Sequence, residues 1–176
     1  MYYRWEELIS AKECNAIINE FKDAEFQDGD VKDGELVNIR CTKVHWVDPQ
    51  HLLNRAIQSI MTEANSIYFN YSIEGSERLQ FGSYGVDGKY DWHTDGAGCG
   101  DEPHRKLSTT VQLSAPEDYE GGEFEFFNGD ANPQNLKIRK QGSVIVFDSR
   151  DWHRITPVTK GIRYSLVMWS YGRRFV

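Results

Sequence analysis

Two regimes of hydrophobic spacing divide the chain near residue 79. Before it, apolar residues recur at helical intervals. Cys14, Ile17, Ile18 and Phe21 fall at i, i+3, i+4 and i+7, and a second stripe collects Leu52, Leu53, Ala56, Ile57, Ile60, Met61 and Ala64. The first stripe follows SAKE, Ser10 to Glu13, a capping box in which the serine hydroxyl and the glutamate carboxylate each satisfy a backbone N–H left free at a helix start. The second follows Asp48-Pro49, which reads as an N-cap with proline at the first helical position. Between the helices an Asp- and Gly-rich loop spans about 23–34, and CTKVHWV, residues 41–47, reads as a strand.

From Leu79 onward the apolar residues come in short runs bounded by turn residues. The runs predict strands at 79–84, 89–93, 107–113, 122–127, 136–138, 143–147 and 163–171, with GVDG, SAPEDYEGG, NGDANP and KQG as the turns. Many short strands without intervening helices point to a β-sandwich or barrel, here braced by two helices. The expected architecture is mainly β (α+β) in one domain, with helical support over about 1–75 and a β core over about 76–176. Neither part can bury its apolar faces alone.

Composition narrows the partners. A net charge of −7 argues against a generic nucleic-acid or anionic-membrane partner, since such binding runs on clustered Lys and Arg. The pair Arg173-Arg174 is too short to change that. No apolar run reaches the length of a membrane span, and MYYRWEELIS lacks the form of a signal peptide. Cys14, Cys41 and Cys99 are widely spaced and odd in number, which points to free thiols in a reducing, cytoplasmic setting.

Candidate chemistry begins at KYDWHTDG, where His93 and Asp95 stand two residues apart in a strand-like segment. Positions i and i+2 of a strand share a face, so the two side chains project together. His153 lies 153 − 95 = 58 residues further on, after an apolar strand that a jelly roll can return to the pair. Two histidines and one carboxylate suit non-heme Fe(II), although zinc accepts the same ligands. Arg163 opens the last strand, with Ser165 and Val167 on its face. An arginine inside an apolar barrel needs an anion, either an acidic residue of the chain or a bound carboxylate that matches its planar fork.

Of the other candidates, His45 is expected to face a polar neighbour and His51 to be solvated on the second helix. His104 falls in a surface loop that could border the site, Asp91 and Asp148 read as structural or exposed, and Cys99 as non-catalytic.

Together these residues resemble the 2-oxoglutarate- and Fe(II)-dependent dioxygenases of the prolyl 4-hydroxylase-like superfamily, in its small bacterial and viral form. YGVDGKYDWHTD matches the family's Tyr, Gly, Tyr, His-x-Asp order through Tyr84, Gly88, Tyr90, His93 and Asp95. KLSTTVQLSAPEDYEGGEFEFF is similar to its central strand and Gly-Gly-Glu turn, and GSVIVFDSRDWHRITPVTKGIRYSLVMW to the segment carrying the distal histidine and an arginine ten residues later. SAKECNAIINEF resembles a supporting helix. The resemblance implies a double-stranded β-helix (jelly roll, cupin-like). It implies His93, Asp95 and His153 as Fe(II) ligands and catalytic residues, Arg163 as the grip on the far carboxylate of 2-oxoglutarate, and Tyr84 as a hydrogen-bonding neighbour of that co-substrate. Trp169, Arg105 and Tyr90 are implied at the substrate entrance. A tyrosine that touches the co-substrate in some relatives is replaced here by Gln112 or a threonine. The implied reaction is hydroxylation of prolyl residues in a peptide or protein with O2, converting 2-oxoglutarate to succinate and CO2, with ascorbate as a reductant. The alternatives are the same chemistry on a small molecule or free amino acid, and a cupin-like metal-binding module without oxygenase activity.

Overall fold

A computed structural model describes residues 2–29, 39–96, 104–127, 129, 134–136 and 138–173. Cys99, most of the NGDANP turn, Arg174 and the end of the 23–34 loop lie outside the described residues. The first half runs β1 (Tyr2–Trp5), α1 (Ala11–Phe21), β2 (Gln27–Asp28), β3 (Arg40–Cys41), β4 (Lys43–Trp46), α2 (Leu52–Ala64), a π-helical turn (Asn65–Phe69) and β5 (Gly75–Ser76). Then come β6 (Gln80–Tyr84), β7 (Lys89–His93), β8 (His104–Gln112), β9 (Tyr119–Gly121), β10 (Phe124–Phe126) and β11 (Gln134–Asn135). The last four are β12 (Val144–Asp148), β13 (His153–Ile155), β14 (Val158–Gly161) and β15 (Arg163–Gly172).

An eight-stranded antiparallel sheet has the order β1-β12-β8-β15-β6-β4-β2, with β5 beside β15. A five-stranded sheet, β11-β10-β13-β7-β3, faces it, and β14 pairs with β9. This is a double-stranded β-helix. The large sheet is covered on both faces, which explains the unbroken run VIVF in β12. Val144 and Val146 join a core with Cys14, Ile17, Ile57, Met61, Leu166 and Met168, while Ile145 and Phe147 join one with Phe124, Phe126 and Ile155 between the sheets. A strand buried on both faces carries no polar alternation.

The capping box forms as expected, with Glu13 N–H donating to Ser10 Oγ and Ser10 N–H to Glu13 Oε2. The second helix starts later than Asp48-Pro49 predicts. Asp48 closes a turn instead, its Oδ1 accepting from Gln50 N–H and its carbonyl from His51 N–H. His51 is then the N-cap of α2, its ring accepting from Leu53 N–H, so it is not simply a solvated helix residue. Leu52 and Ala56 consequently fall on the exposed side of the stripe.

Three further expectations change. The strand expected over 122–127 is shorter, β10 at Phe124–Phe126, and the SAPEDYEGG segment before it carries the extra strand β9, from which Gly121 and Gly122, both at positive φ, separate it. A Cβ at Gly121 would lie 2.2 Å from the Pro157 carbonyl oxygen, so only glycine fits. Leu136 and Ile138 are buried in the inter-sheet core, but the strand is at Gln134–Asn135. The N-terminal part supplies a strand beyond the one expected at 41–47, β1 pairing with β12 along Tyr2 to Trp5.

Candidate active site

The pairing of β7 with β13 sets His93 directly opposite His153. Asp95 lies two residues past the end of β7, on a bend, so the pair meets at one site although the strand itself stops at His93. Its Oδ1 lies 3.6 Å from His93 Nε2 and its Oδ2 3.5 Å from His153 Nε2. One ligand atom from each of the three residues lies within 4.8 Å of the other two, a group that can hold a metal ion.

The backbone orients both rings. His93 Nδ1 is 2.7 Å from the Asp91 carbonyl oxygen, and His153 Nδ1 is 2.9 Å from that of Asp151. A carbonyl only accepts, so each Nδ1 carries a proton and each ring turns its Nε2 toward Asp95. Tyr90 stacks on His93 at 3.4 Å between centroids, and Phe124 and Phe147 flank His153. Burial pushes the His153 pKa down to about 4, against the opposing pull of Asp95, so the imidazole is neutral near pH 7. Burial also disfavours charge on Asp95, but in the acid range where it would take up a proton the charged His153 ring attracts it. With the hydrogen bond and attraction of His93 and the hydrogen bond from Ser108, this outweighs burial and holds the carboxyl well below the usual range. Two imidazole Nε2 atoms thus face a carboxylate at under 4 Å, and with the rings neutral the three make a donor set for a cation. Fe(II) fits this set.

Arg163, only 3% exposed, stands opposite Tyr84 in the β15–β6 register and lines the same cavity as the three residues. Its contacts are slight: Nη1 lies 3.5 Å from Ser165 Oγ, the guanidinium carbon sits 5.3 Å from the Tyr84 ring centroid, and Nε has no partner among the described residues. Among the described residues no carboxylate meets it. The anion that a buried arginine needs is therefore not an acidic residue of the described chain. Two other cavity-lining residues carry unpartnered buried polar atoms, Thr109 Oγ1 and Trp169 Nε1. Such atoms are rare in folded proteins, and here they share one cavity.

The remaining predicted residues divide. Tyr84, Tyr90 and Trp169 line the cavity. Arg105 is held by Glu77 through two hydrogen bonds and covers the Trp169 ring at 3.9 Å. Thr109 and Thr110 line the cavity, whereas Gln112 turns its amide to the Ser114 carbonyl. His45 binds the Glu25 carbonyl as expected. His104 opens β8 and is not a loop residue, and Asp148 is buried, accepting from Tyr71 and Arg150. Sequence reasoning missed Arg40, which reaches the cavity from β3 and binds Thr42 and Gln80. It also missed Ser108, which donates to Asp95 Oδ2 at 2.6 Å. Neither carries a local sequence signal, because only strand pairing brings it to the site.

Comparisons with known proteins agree with this geometry. The profile of the 2OG-Fe(II) oxygenase superfamily matches residues 79–171. A PKHD-type hydroxylase of Synechococcus sp. (strain JA-2-3B'a(2-13)) is 32% identical over 172 residues, covering 93% of this chain and 75% of the relative. The viral collagen prolyl hydroxylase of Paramecium Bursaria Chlorella virus-1, solved with 2OG, has a similar fold with a TM-score of 0.74 at 24% identity, covering 98% and 96% of the two chains. A Trichoplax adhaerens prolyl hydroxylase, solved with a peptide fragment of the hypoxia inducible factor oxygen degradation domain, gives 0.77 at 18% identity, covering 97% and 83%. The chain therefore belongs to the 2OG-Fe(II) oxygenase superfamily, as an Fe(II)- and 2-oxoglutarate-dependent oxygenase of the prolyl hydroxylase-like type.

Proposed function

We propose that this oxygenase hydroxylates a prolyl residue of a peptide or protein. The observation that carries the reading is the buried Arg163 guanidinium, unmatched by any described carboxylate, in one cavity with His93, Asp95 and His153. In this reading the last three hold Fe(II). Arg163 receives the far carboxylate of 2-oxoglutarate through its planar fork, and Tyr84, packed against that guanidinium, offers its phenol to the same molecule. When bound, Fe(II) with 2-oxoglutarate and O2 supplies the oxidation of C–H to C–OH, coupled to conversion of the co-substrate to succinate and CO2.

The chain's own residues orient and shield. Phe124, Phe147 and Ile155 make one cavity wall apolar and keep water from the reacting groups. Burial raises the Tyr90 phenol to about 12, so it stays a protonated donor beside His93. The unpartnered Trp169 indole N–H can donate to a peptide carbonyl, while Arg105, pinned by Glu77, holds the indole plane. The prolyl assignment draws on the relatives. A second reading, the same chemistry on an anionic small molecule or free amino acid, is favoured by Arg40, a further guanidinium on the cavity wall. Family membership and the unmatched Arg163 both weigh against a metal-binding module without turnover.

The test is anaerobic loading with Fe(II), 2-oxoglutarate and ascorbate, followed by O2 with a proline-rich peptide or with free proline. The expected result is succinate formed in step with a gain of one oxygen on a prolyl residue of the peptide. Coupling to free proline alone would select the second reading, and no succinate under any condition would overturn both.

A further inference from the structure

Ser108 and Ser149 are both fully buried, and neither is used by the mechanism above. Ser108 sits on β8, opposite Trp169 on one side and Phe147 on the other. Ser149 follows the last residue of β12. Ser108 Oγ lies 2.6 Å from Asp95 Oδ2 and 2.9 Å from Ser149 Oγ.

The direction of this chain is set by proton count. An ionised carboxylate only accepts, so the single hydroxyl proton of Ser108 goes to Asp95. Ser108 is then left only lone pairs for its neighbour, and Ser149 must donate to it. The order Ser149 to Ser108 to Asp95 is the one that satisfies all three groups. Ser149 is itself tied on both sides of its backbone, its N–H donating to the Lys106 carbonyl and its carbonyl accepting from Gly96 N–H. One residue therefore links β8, the end of β12 and the segment just after Asp95.

We propose that Ser108 and Ser149 are positioning residues: they hold Oδ2 of Asp95, which also lies 3.5 Å from His153 Nε2, in this hydrogen-bond chain, and so leave Oδ1, 3.6 Å from His93 Nε2, as the oxygen that serves the metal. The inference assumes that Asp95 is a metal ligand. Without the hydroxyl, the carboxylate can rotate and offer both oxygens, which changes the number of positions left for other ligands. Partners of this kind typically change metal affinity or activity about 10–100-fold when removed.

The test uses the whole protein with Co(II) as probe, reading the dissociation constant and the visible spectrum, which reports coordination number. Ser108→Ala is expected to weaken Co(II) binding at least about tenfold and alter the band pattern. Ser108→Thr, which keeps a hydroxyl, should restore both. Ser149→Ala should give a smaller change in the same direction, roughly threefold, and add nothing to Ser108→Ala, because it acts through Ser108. Native affinity and spectrum in Ser108→Ala would overturn the inference. If that variant does not fold, native values in Ser149→Ala would do the same. Asp95→Ala, run in parallel, separates the two layers. Unchanged Co(II) binding there removes the ligand reading itself, whereas lost binding there with native Ser108→Ala removes only the positioning role.

Discussion

The two faces of β15 make opposite use of one strand. Toward the helices it presents Leu166 and Met168, packed with Ile57, Met61, Leu79 and Val111. Toward the other sheet it presents Arg163, Ser165, Val167 and Trp169, which line the cavity. The helix side is apolar and closed. The cavity side is as buried at Arg163 and Trp169, yet both carry polar atoms with no partner among the described residues. Burial without satisfaction is unfavourable for folding alone, so the contrast separates the face that stabilises the fold from the face kept for ligands.

Four measurements break or sharpen that contrast. The largest effect is expected on the cavity side, where Asp95→Ala should abolish Fe(II)-dependent succinate production. The loss should exceed the roughly 100-fold that outer partners of a metal site reach. Full turnover by that variant would refute the site. On the helix side, Leu166→Ala should lower stability by about 2–5 kcal/mol in urea unfolding, with 2-oxoglutarate affinity nearly unchanged. A variant that kept stability but lost co-substrate binding would reverse the roles of the two faces.

Next comes Arg163→Ala, expected to weaken 2-oxoglutarate binding by about 1.5–3 kcal/mol, the range for hydrogen bonds to charged groups. Metal affinity should stay near native and stability should fall little, since no described carboxylate is left unpaired. Calorimetric titration of both ligands reads this directly. The smallest effect is one of pH. His153 is neutral when folded down to a pKa of about 4, whereas its ordinary value is 6.5, so between these limits the unfolded chain binds the extra proton. Metal-free protein should therefore lose stability as pH falls from about 6.5 toward 4. His153→Gln should flatten that slope, and an unaltered slope would show that other groups carry it.

Legibility from sequence followed the range of the interactions. The capping box at Ser10 and the stripe from Cys14 to Phe21 were readable because every partner lies within a turn or two. The His93–Asp95 pair was readable for the same reason, since two-residue alternation needs only a locally extended chain. Asp48-Pro49 misled because a turn and a helix start share the same local chemistry; here the Asp48 carbonyl accepts from His51 N–H and from the Asn54 side chain, closing a turn. β1 was missed because Tyr2 to Trp5 becomes a strand by pairing with β12, more than a hundred residues away.

By itself the sequence determined the buried face of the first helix, the longer strands of the β core, and the residue types able to bind a metal and a carboxylate. Tertiary structure alone decided that His153 pairs across from His93 and that Arg163 meets no described carboxylate. It also decided that Ser108 and Ser149 stand behind Asp95. The physical reason is that propensity, capping and alternation act between near neighbours along the chain. Satisfaction of a buried polar group depends on every strand packed around it, which no local stretch encodes.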